Sequence, residues 1–219
     1  MINIEISNKL KEKCPEIVIG CIEAKVNVTE FNETLWDEIT LQCSKIEKLE
    51  LKDVLEIENI KASRNAYKKL GKDPSRYRLS SESLLRRVVK EKGLYKVNNI
   101  VDINNLVSLV TCNSVGNYDL DRIGSKISFT VGGEGETYEG IGRGIINLES
   151  LPVFEDEEGK FGSTTSDSMR AMITKDTKGI LMNIISFNGE NELSQYIDYA
   201  KGLLERYAEA EDIRIKIVR

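Results

Sequence analysis

The stretch SRNAYKKLGKDPSRYRLSSESLLRRV, residues 63–88, contains a helix boundary on each side of a loop, because one helix ends in it, the chain turns, and a second helix starts. Residues 53–70 are predicted to be helical, and Gly71 is the left-handed residue that ends such a helix. A turn signal follows, and Ser80 or Ser81 is predicted to cap the next helix. Two helices joined by a short loop are therefore expected in the middle of the chain.

The second of these helices, over residues 82–92, is amphipathic, with apolar side chains on one face and cations largely on the other. Residues 61–96 carry a net charge of +9, whereas the rest of the chain carries −14 and the whole chain −5. Such a segment can steer a polyanion to one face of a protein, or it can be a solvated helical face. The residues predicted to contact RNA are Arg64, Lys68, Arg76, Arg86, Arg87 and Lys90.

Outside this stretch the sequence alternates between strand and helix patterns. GILMNIISF, residues 179–187, is the clearest buried strand. Residues 102–112 and 190–207 show the helical period of 3.6, and strands and turns dominate the region between them. The predicted fold class is mixed α/β, with an N-terminal αβ lobe over residues 1–58 packed on a main domain over residues 59–219.

The composition excludes several classes of catalytic site. The 219 residues contain no histidine, which excludes Ser-His-Asp triads, Cys-His dyads and His-ligated metals, so a general acid or base must be Asp, Glu, Lys, Tyr or Cys. The four cysteines have no C-x-x-C spacing, so no metal and no cofactor are predicted, and the thiols are expected to pack in the core. Neither a signal stretch nor a run of about 20 apolar residues is present, so we expect a cytoplasmic protein with no membrane partner.

Three polar clusters can carry chemistry. The glycine-rich segment 132–144 lacks the G-x-G-x-x-G spacing and precedes strands, so a β-turn is favoured over a phosphate-binding loop. Residues 162–170, GSTTSDSMR, concentrate hydroxyl groups that can bind a ribose, an amino acid or a phosphate, or simply satisfy the backbone of a loop. The asparagines between residues 98 and 121 can fix an amide, a ribose or a water, or act as helix caps and turn formers.

The order of these clusters resembles the B3/B4-type domain of the phenylalanyl-tRNA synthetase β chain and, more closely, the free-standing proteins that consist of that domain. The resemblance implies a three-layer α/β fold with a β-sandwich of unusual topology. It also implies an editing function, in which a water held in an interior pocket hydrolyses an amino acid wrongly esterified to tRNA. The matching segments are 63–88, NNIVDINNLVSL (98–109), GNYDLDRIG (116–124), GGEGETYEGIGRG (132–144) and FGSTTSDS (161–168).

The resemblance assigns roles residue by residue. Asn105 stands where the synthetases have an asparagine, Asn104 where they have a threonine that serves editing, and Gly116 where they carry a pocket histidine. Glu134 or Asp119 is then expected to position the water, and Asn104 is the third predicted catalytic residue. The predicted substrate-binding residues are Asn105, Gly116, Asn117, Ser163, Thr164, Thr165, Ser166 and Asp167.

Three hypotheses about function remain open from the sequence. The chain is a hydrolase that edits misacylated tRNA in trans, a non-catalytic module that holds RNA or an amino acid in the same pocket, or an RNA-independent enzyme or ligand sensor. The missing histidine favours the second hypothesis. The predicted partners are tRNA, bound weakly by this chain alone, and an aminoacyl or amino-acid small molecule, with no DNA.

Overall fold

The computed structural model describes residues 2–219. In these residues ten strands and seven α-helices form. The strands are β1 (Asn3–Ile6), β2 (Val18–Lys25), β3 (Ser114–Asp119), β4 (Lys126–Val131), β5 (Thr137–Gly140), β6 (Gly144–Asn147), β7 (Pro152–Asp156), β8 (Gly159–Ser163), β9 (Gly179–Ser186) and β10 (Glu211–Val218). The helices are α1 (Asn8–Lys11), α2 (Glu33–Ile46), α3 (Leu51–Glu56), α4 (Glu58–Leu70), α5 (Ser80–Val89), α6 (Asn99–Thr111) and α7 (Leu193–Ala208).

The strands form two four-stranded sheets and one hairpin. The first sheet has the order β10-β2-β9-β3, and all its neighbours are antiparallel. The second has the order β1-β4-β7-β8, in which β1 runs parallel to β4. Strands β5 and β6 form the separate hairpin. Strand β3 therefore lies at an edge of the first sheet.

The central strands β2 and β9 face two different cores. Ile22 and Met182 belong to a core shared with α2, α5, α6 and α7, whereas Ile19 and Leu181 belong to a core shared with the second sheet. This follows from the strand period, in which successive side chains point to opposite faces. Helices, first sheet and second sheet therefore make three layers, which confirms the predicted mixed α/β class with two sheets packed face to face.

Aromatic rings fill the space between the two sheets. Tyr118 of β3 meets Phe154 and Phe161 edge-on, with ring centroids 5.6 and 4.9 Å apart. Phe129 stacks on Phe154 at 4.2 Å. All four rings are fully buried, and each such pair contributes about 0.5–1.5 kcal/mol beyond the burial of its area. The ring of Tyr118 is therefore held firmly in place.

Several helix boundaries differ from the sequence prediction. The helix predicted over residues 53–70 is two helices, because Ile57 takes an extended backbone between α3 and α4. Gly71 ends α4 in the left-handed conformation, with φ 89°, as predicted. Leu79 occupies the cap position of α5, so the prediction of a serine cap there was wrong. Helix α6 starts earlier than predicted because the Asn98 side chain accepts a hydrogen bond from the Val101 N–H at 2.9 Å.

The N-terminal strands belong to the two sheets. Strand β1 pairs with β4, from Asn3 opposite Lys126 to Ile6 opposite Phe129. Strand β2 lies between β10 and β9. These strands thus complete sheets that are built mostly from later residues. The division into a lobe over residues 1–58 and a domain over residues 59–219 stays a prediction, and residue 1 lies outside the described residues.

The cysteines lie in apolar surroundings. Cys14, Cys21 and Cys43 are buried and Cys112 is half-buried, all as free thiols. Burial raises the pKa of each thiol, to about 12 for Cys21 and to about 11 for Cys112. Since the thiolate is the reactive form, these side chains suit packing rather than nucleophilic chemistry.

Neither a membrane span nor a metal cluster is found in the part of the chain that the structure describes. No helix among residues 2–219 combines the length and the apolar character needed to cross a bilayer. Over the same residues, no group of three or more Cys, Asp or Glu side chains is placed to hold a metal ion.

Candidate functional site

A cavity of about 500 Å³ opens where α5, α6 and the edge strand β3 meet the β5–β6 turn and the loop after β8. Its volume is in the range of small-molecule sites, about 300–1,000 Å³. Among the predicted catalytic and substrate-binding residues, those that line the cavity are Asn104, Asn105, Asn117, Thr165, Ser166 and Asp167. Among the predicted RNA contacts, Arg87 lines it. Side chains from three distant stretches of sequence therefore meet at one place.

Helix α6 and strand β3 supply the amide wall of the cavity. Asn104 and Ser108 are four residues apart, so they are neighbours on one face of α6. Asn117 on β3 donates from Nδ2 to the Ile100 carbonyl at 3.5 Å, which leaves its Oδ1 free to accept. Asn104 Oδ1, Ser108 Oγ and Asn117 Oδ1 are all buried without a hydrogen-bond partner among the described residues.

The loop after β8 is held by its own hydroxyl groups. The Ser163 hydroxyl donates to the Ser166 carbonyl at 2.8 Å and accepts from the N–H groups of Thr165 and Ser166. Tyr67 shares hydrogen bonds with the hydroxyls of Thr164 and Thr165 at 2.6 and 2.8 Å. Ser163 and Thr164 do not line the cavity themselves. They hold Thr165, Ser166 and Asp167 against it.

Asp167 is the one acidic side chain lining this cavity in the described chain. Its Oδ1 accepts hydrogen bonds from the Tyr118 hydroxyl at 2.9 Å and from the Ser163 N–H at 3.2 Å. No described residue donates to its Oδ2. Burial raises the pKa of Asp167 to about 7, against the lowering effect of these two donors. This carboxyl group can therefore bind and release a proton near neutral pH.

Tyr118 reaches Asp167 by lying over two glycines. A Cβ on Gly116 would sit 2.4 Å from the Tyr118 hydroxyl oxygen, and a Cβ on Gly162 would sit 2.2 Å from it. Burial, the charge of Asp167 and the hydrogen bond to it raise the pKa of Tyr118 well above its usual value, so the phenol remains a neutral donor. Gly116 was predicted to bind substrate, but it does not line the cavity. Its role is to leave room for this ring.

Glu134 and Asp119 do not line the cavity, contrary to the sequence prediction. Glu134 is exposed in the turn between β4 and β5. Asp119 is buried and accepts from the Thr177 hydroxyl at 2.6 Å and from the Asp121 N–H at 3.0 Å. Asp119 thus stabilises the start of a 3-10 helix and a neighbouring loop, and neither carboxylate can hold a water in the cavity.

The predicted RNA contacts divide into three groups. Arg64 and Arg86 form ion pairs with the buried Glu82, with N–O distances of 2.8 and 3.6 Å. Their positive charges therefore compensate a buried carboxylate within the protein. Arg87 lines the cavity and lies over the ring of the exposed Tyr95 at 4.0 Å. The predicted RNA contacts that remain exposed are Lys68, Arg76 and Lys90.

Arg143 and Ser108 line the cavity but were not predicted from the sequence. Arg143 follows the positive-φ Gly142 in the β5–β6 turn. The hairpin is hydrogen-bonded to the loop after β8, because the Ile141 N–H donates to the Asp167 carbonyl at 3.0 Å. The Tyr138 hydroxyl, which donates to the Ser166 carbonyl, and a β-bridge between Gly140 and Ser168 add to this contact. Contacts between residues far apart in sequence therefore bring Arg143 to the cavity. Ser108 had a local signal, its place one turn after Asn104.

The family model described as the B3/4 domain matches residues 62–208. The phenylalanine–tRNA ligase beta subunit of Fusobacterium nucleatum subsp. nucleatum is 28% identical over 114 residues, which are 51% of this chain and 14% of that protein. The chain therefore spans a small part of that curated relative. Among solved structures, an N-terminal fragment of the phenylalanyl-tRNA synthetase beta-subunit from Pyrococcus horikoshii has 15% identity and a TM-score of 0.47, over 99% of this chain and 50% of that one.

Proposed function

Because the chain belongs to the B3/4 domain family, we propose that it hydrolyses aminoacyl esters of tRNA in trans, with a water positioned by Asp167. The relative from Fusobacterium nucleatum is by name a ligase that acts with tRNA. The observation that carries the proposal is the Asp167 carboxyl group in a polar cavity, with a pKa of about 7. A general base works best when its pKa lies near the operating pH.

The proposed reaction needs one water and one carboxylate. The water oxygen attacks the ester carbonyl carbon while Asp167 accepts a proton from it. The C–O bond to the ribose then breaks, and the same proton passes to the leaving ribose oxygen. Asn105 lines the cavity and its amide can donate to the carbonyl oxygen as negative charge develops there. Arg87 and Arg143 carry the positive charge that a terminal phosphate requires.

The proposal is tested with a panel of mischarged tRNAs carrying a labelled amino acid. We expect faster loss of the ester than in buffer for at least one aminoacyl group. The rate, after subtraction of the uncatalysed hydrolysis, should rise roughly tenfold between about pH 6 and pH 8, since Asp167 must be deprotonated to accept a proton. The absence of acceleration for every aminoacyl group would overturn the proposed function.

The tRNA contact is proposed for the cations beside the cavity. Lys90 is exposed just past the end of α5, the helix that carries Arg87. Lys90→Glu is expected to lower the salt dependence of tRNA binding by about one to two charge units, because log K falls with log salt in proportion to the phosphates contacted. Filter binding across a salt series measures the slope. Lys175→Glu, an exposed lysine beyond the cavity lining, is the matched control, and equal slopes for both variants would refute this footprint.

A binding module without chemistry is the second candidate. Three buried, unpartnered polar atoms in the cavity favour it, because such atoms can hold a ligand irrespective of catalysis. The two functions differ in turnover: a module would bind an aminoacyl ester and release it intact.

A further inference from the structure

Three buried oxygen atoms in the amide wall of the cavity have no hydrogen-bond partner among the described residues. Ser108 is fully buried and Asn117 is 9% exposed, yet Ser108 Oγ and Asn117 Oδ1 have no partner among the described residues. Asn104 Oδ1 on the next turn of α6 is also buried and unpartnered. A buried polar atom without a partner is costly, and native proteins keep few of them without a reason.

Nearby protein cations do not donate hydrogen bonds to these three oxygen atoms. The Arg87 guanidinium lines the same cavity, but it donates to the Gly93 carbonyl at 2.6 Å and to the Lys92 carbonyl at 3.2 Å. Arg143 makes no hydrogen bond to these atoms in the described chain. The donors must therefore come from a ligand or from solvent that the ligand displaces.

The chemistry of the three atoms specifies the ligand group. Amide oxygens only accept hydrogen bonds, and a serine hydroxyl can accept. A protonated primary amine offers three donors and no acceptor, so it matches three acceptors that line one cavity better than a hydroxyl or a water does. Asp167 adds a carboxylate to the same cavity, which favours a positive charge there.

We propose that Asn104 Oδ1, Ser108 Oγ and Asn117 Oδ1 form a subsite for a primary ammonium group carried by the cavity's ligand. For an aminoacyl ester this group is the α-ammonium, which would fix the acyl carbon relative to Asp167. The inference deepens the proposed function and rests on it for the identity of the ester. The subsite itself requires only that an amine binds.

Binding is measured on the full chain with amides that cannot be hydrolysed as esters. Calorimetry and thermal shift compare the amides of alanine, leucine and tyrosine with their N-acetyl derivatives, and Nα-acetyl-lysinamide supplies a side-chain amine alone. We expect a free amine to bind at least tenfold more tightly than its acetylated partner. Preference for the α-amine identifies an aminoacyl ligand, and binding of Nα-acetyl-lysinamide alone identifies a side-chain amine. Equal binding of free and acetylated forms, or no binding of any amine, overturns the subsite.

Ser108→Ala tests the subsite within the protein. The free variant should be as stable as the parent or slightly more stable, because the substitution removes an unpartnered hydroxyl. Amine affinity should fall roughly tenfold or more, as expected for a lost hydrogen bond to a charged group. Ser81→Ala is the control, because the Ser81 hydroxyl is equally buried and unpartnered but does not line the cavity, and this variant should leave affinity unchanged. Equal affinity in Ser108→Ala and Ser81→Ala would count against the proposal.

Failure of the subsite and failure of the proposed function have different signatures. Amine-dependent binding without turnover of any ester keeps the subsite and removes the hydrolase. Ester turnover that is unaffected by N-acetylation of the aminoacyl group keeps the hydrolase and removes the subsite.

Discussion

Asp167→Asn is expected to lower the rate of aminoacyl-ester hydrolysis by about 10²- to 10⁴-fold, the range in which a general base contributes. The amide oxygen of asparagine can still accept from the Tyr118 hydroxyl and the Ser163 N–H, so the loop should keep its shape. What is lost is the ability to take a proton from water. The remaining activity should also lose its dependence on pH near 7, once uncatalysed hydrolysis is subtracted.

Glu134→Gln is the matched control for this variant. It removes a carboxylate of the same chain that is exposed and away from the cavity, so its rate should equal that of the parent. Thermal unfolding of both variants checks that neither has lost the fold. A fully active, pH-dependent Asp167→Asn variant would show that another group supplies the base, and the proposed mechanism would be wrong.

Arg64→Met is expected to lower the free energy of unfolding by about 3–5 kcal/mol, the cost of removing one partner of a buried ion pair. The Glu82 side chain is 1% exposed and that of Arg64 18% exposed, with 2.8 Å between Nη1 and Oε2. Without Arg64, the buried carboxylate keeps only Arg86, at 3.6 Å. Urea denaturation followed by circular dichroism measures the change.

Two further variants test whether the loss comes from the unpaired buried carboxylate. Arg76→Met removes an exposed arginine from the same segment and should change stability by less than about 0.5 kcal/mol. The double variant Arg64→Met/Glu82→Leu replaces both charges and should recover much of the loss, since the unpaired buried carboxylate is gone. A loss below about 1 kcal/mol in Arg64→Met, equal to that of a surface pair, would contradict the structural role.

Local sequence signals predicted most of the secondary structure. The positive φ of Gly71 and the alternation of β9 depend on a residue's own conformational preference or on its near neighbours, so they can be read directly from the chain. The break at Ile57 escaped prediction, because the apolar period continues through it while the backbone becomes extended. Boundaries of this kind depend on how α3 and α4 pack rather than on composition.

The candidate site was predicted in part. Asn104, Asn105 and the loop around Ser166 lie on the cavity, whereas Asn99 of the same helix hydrogen-bonds to the carbonyls of Asn27 and Tyr207. The choice of carboxylate was wrong for Glu134 and Asp119, and Gly116 serves packing. Sequence gave no means to rank the acids, since exposure and hydrogen-bond partners decide which one can hold a water.

Local residue patterns were sufficient to predict the order of helices and strands, the absence of histidine chemistry and the stretches that supply polar groups. Which of those groups act together depends on how distant stretches pack in three dimensions. Tyr118 and Asp167 lie 49 positions apart, and their hydrogen bond exists because β3 and the loop after β8 meet at the cavity. The pKa of Asp167 follows from that burial. A property set by the low-dielectric surroundings of a group cannot be deduced from its neighbours along the chain.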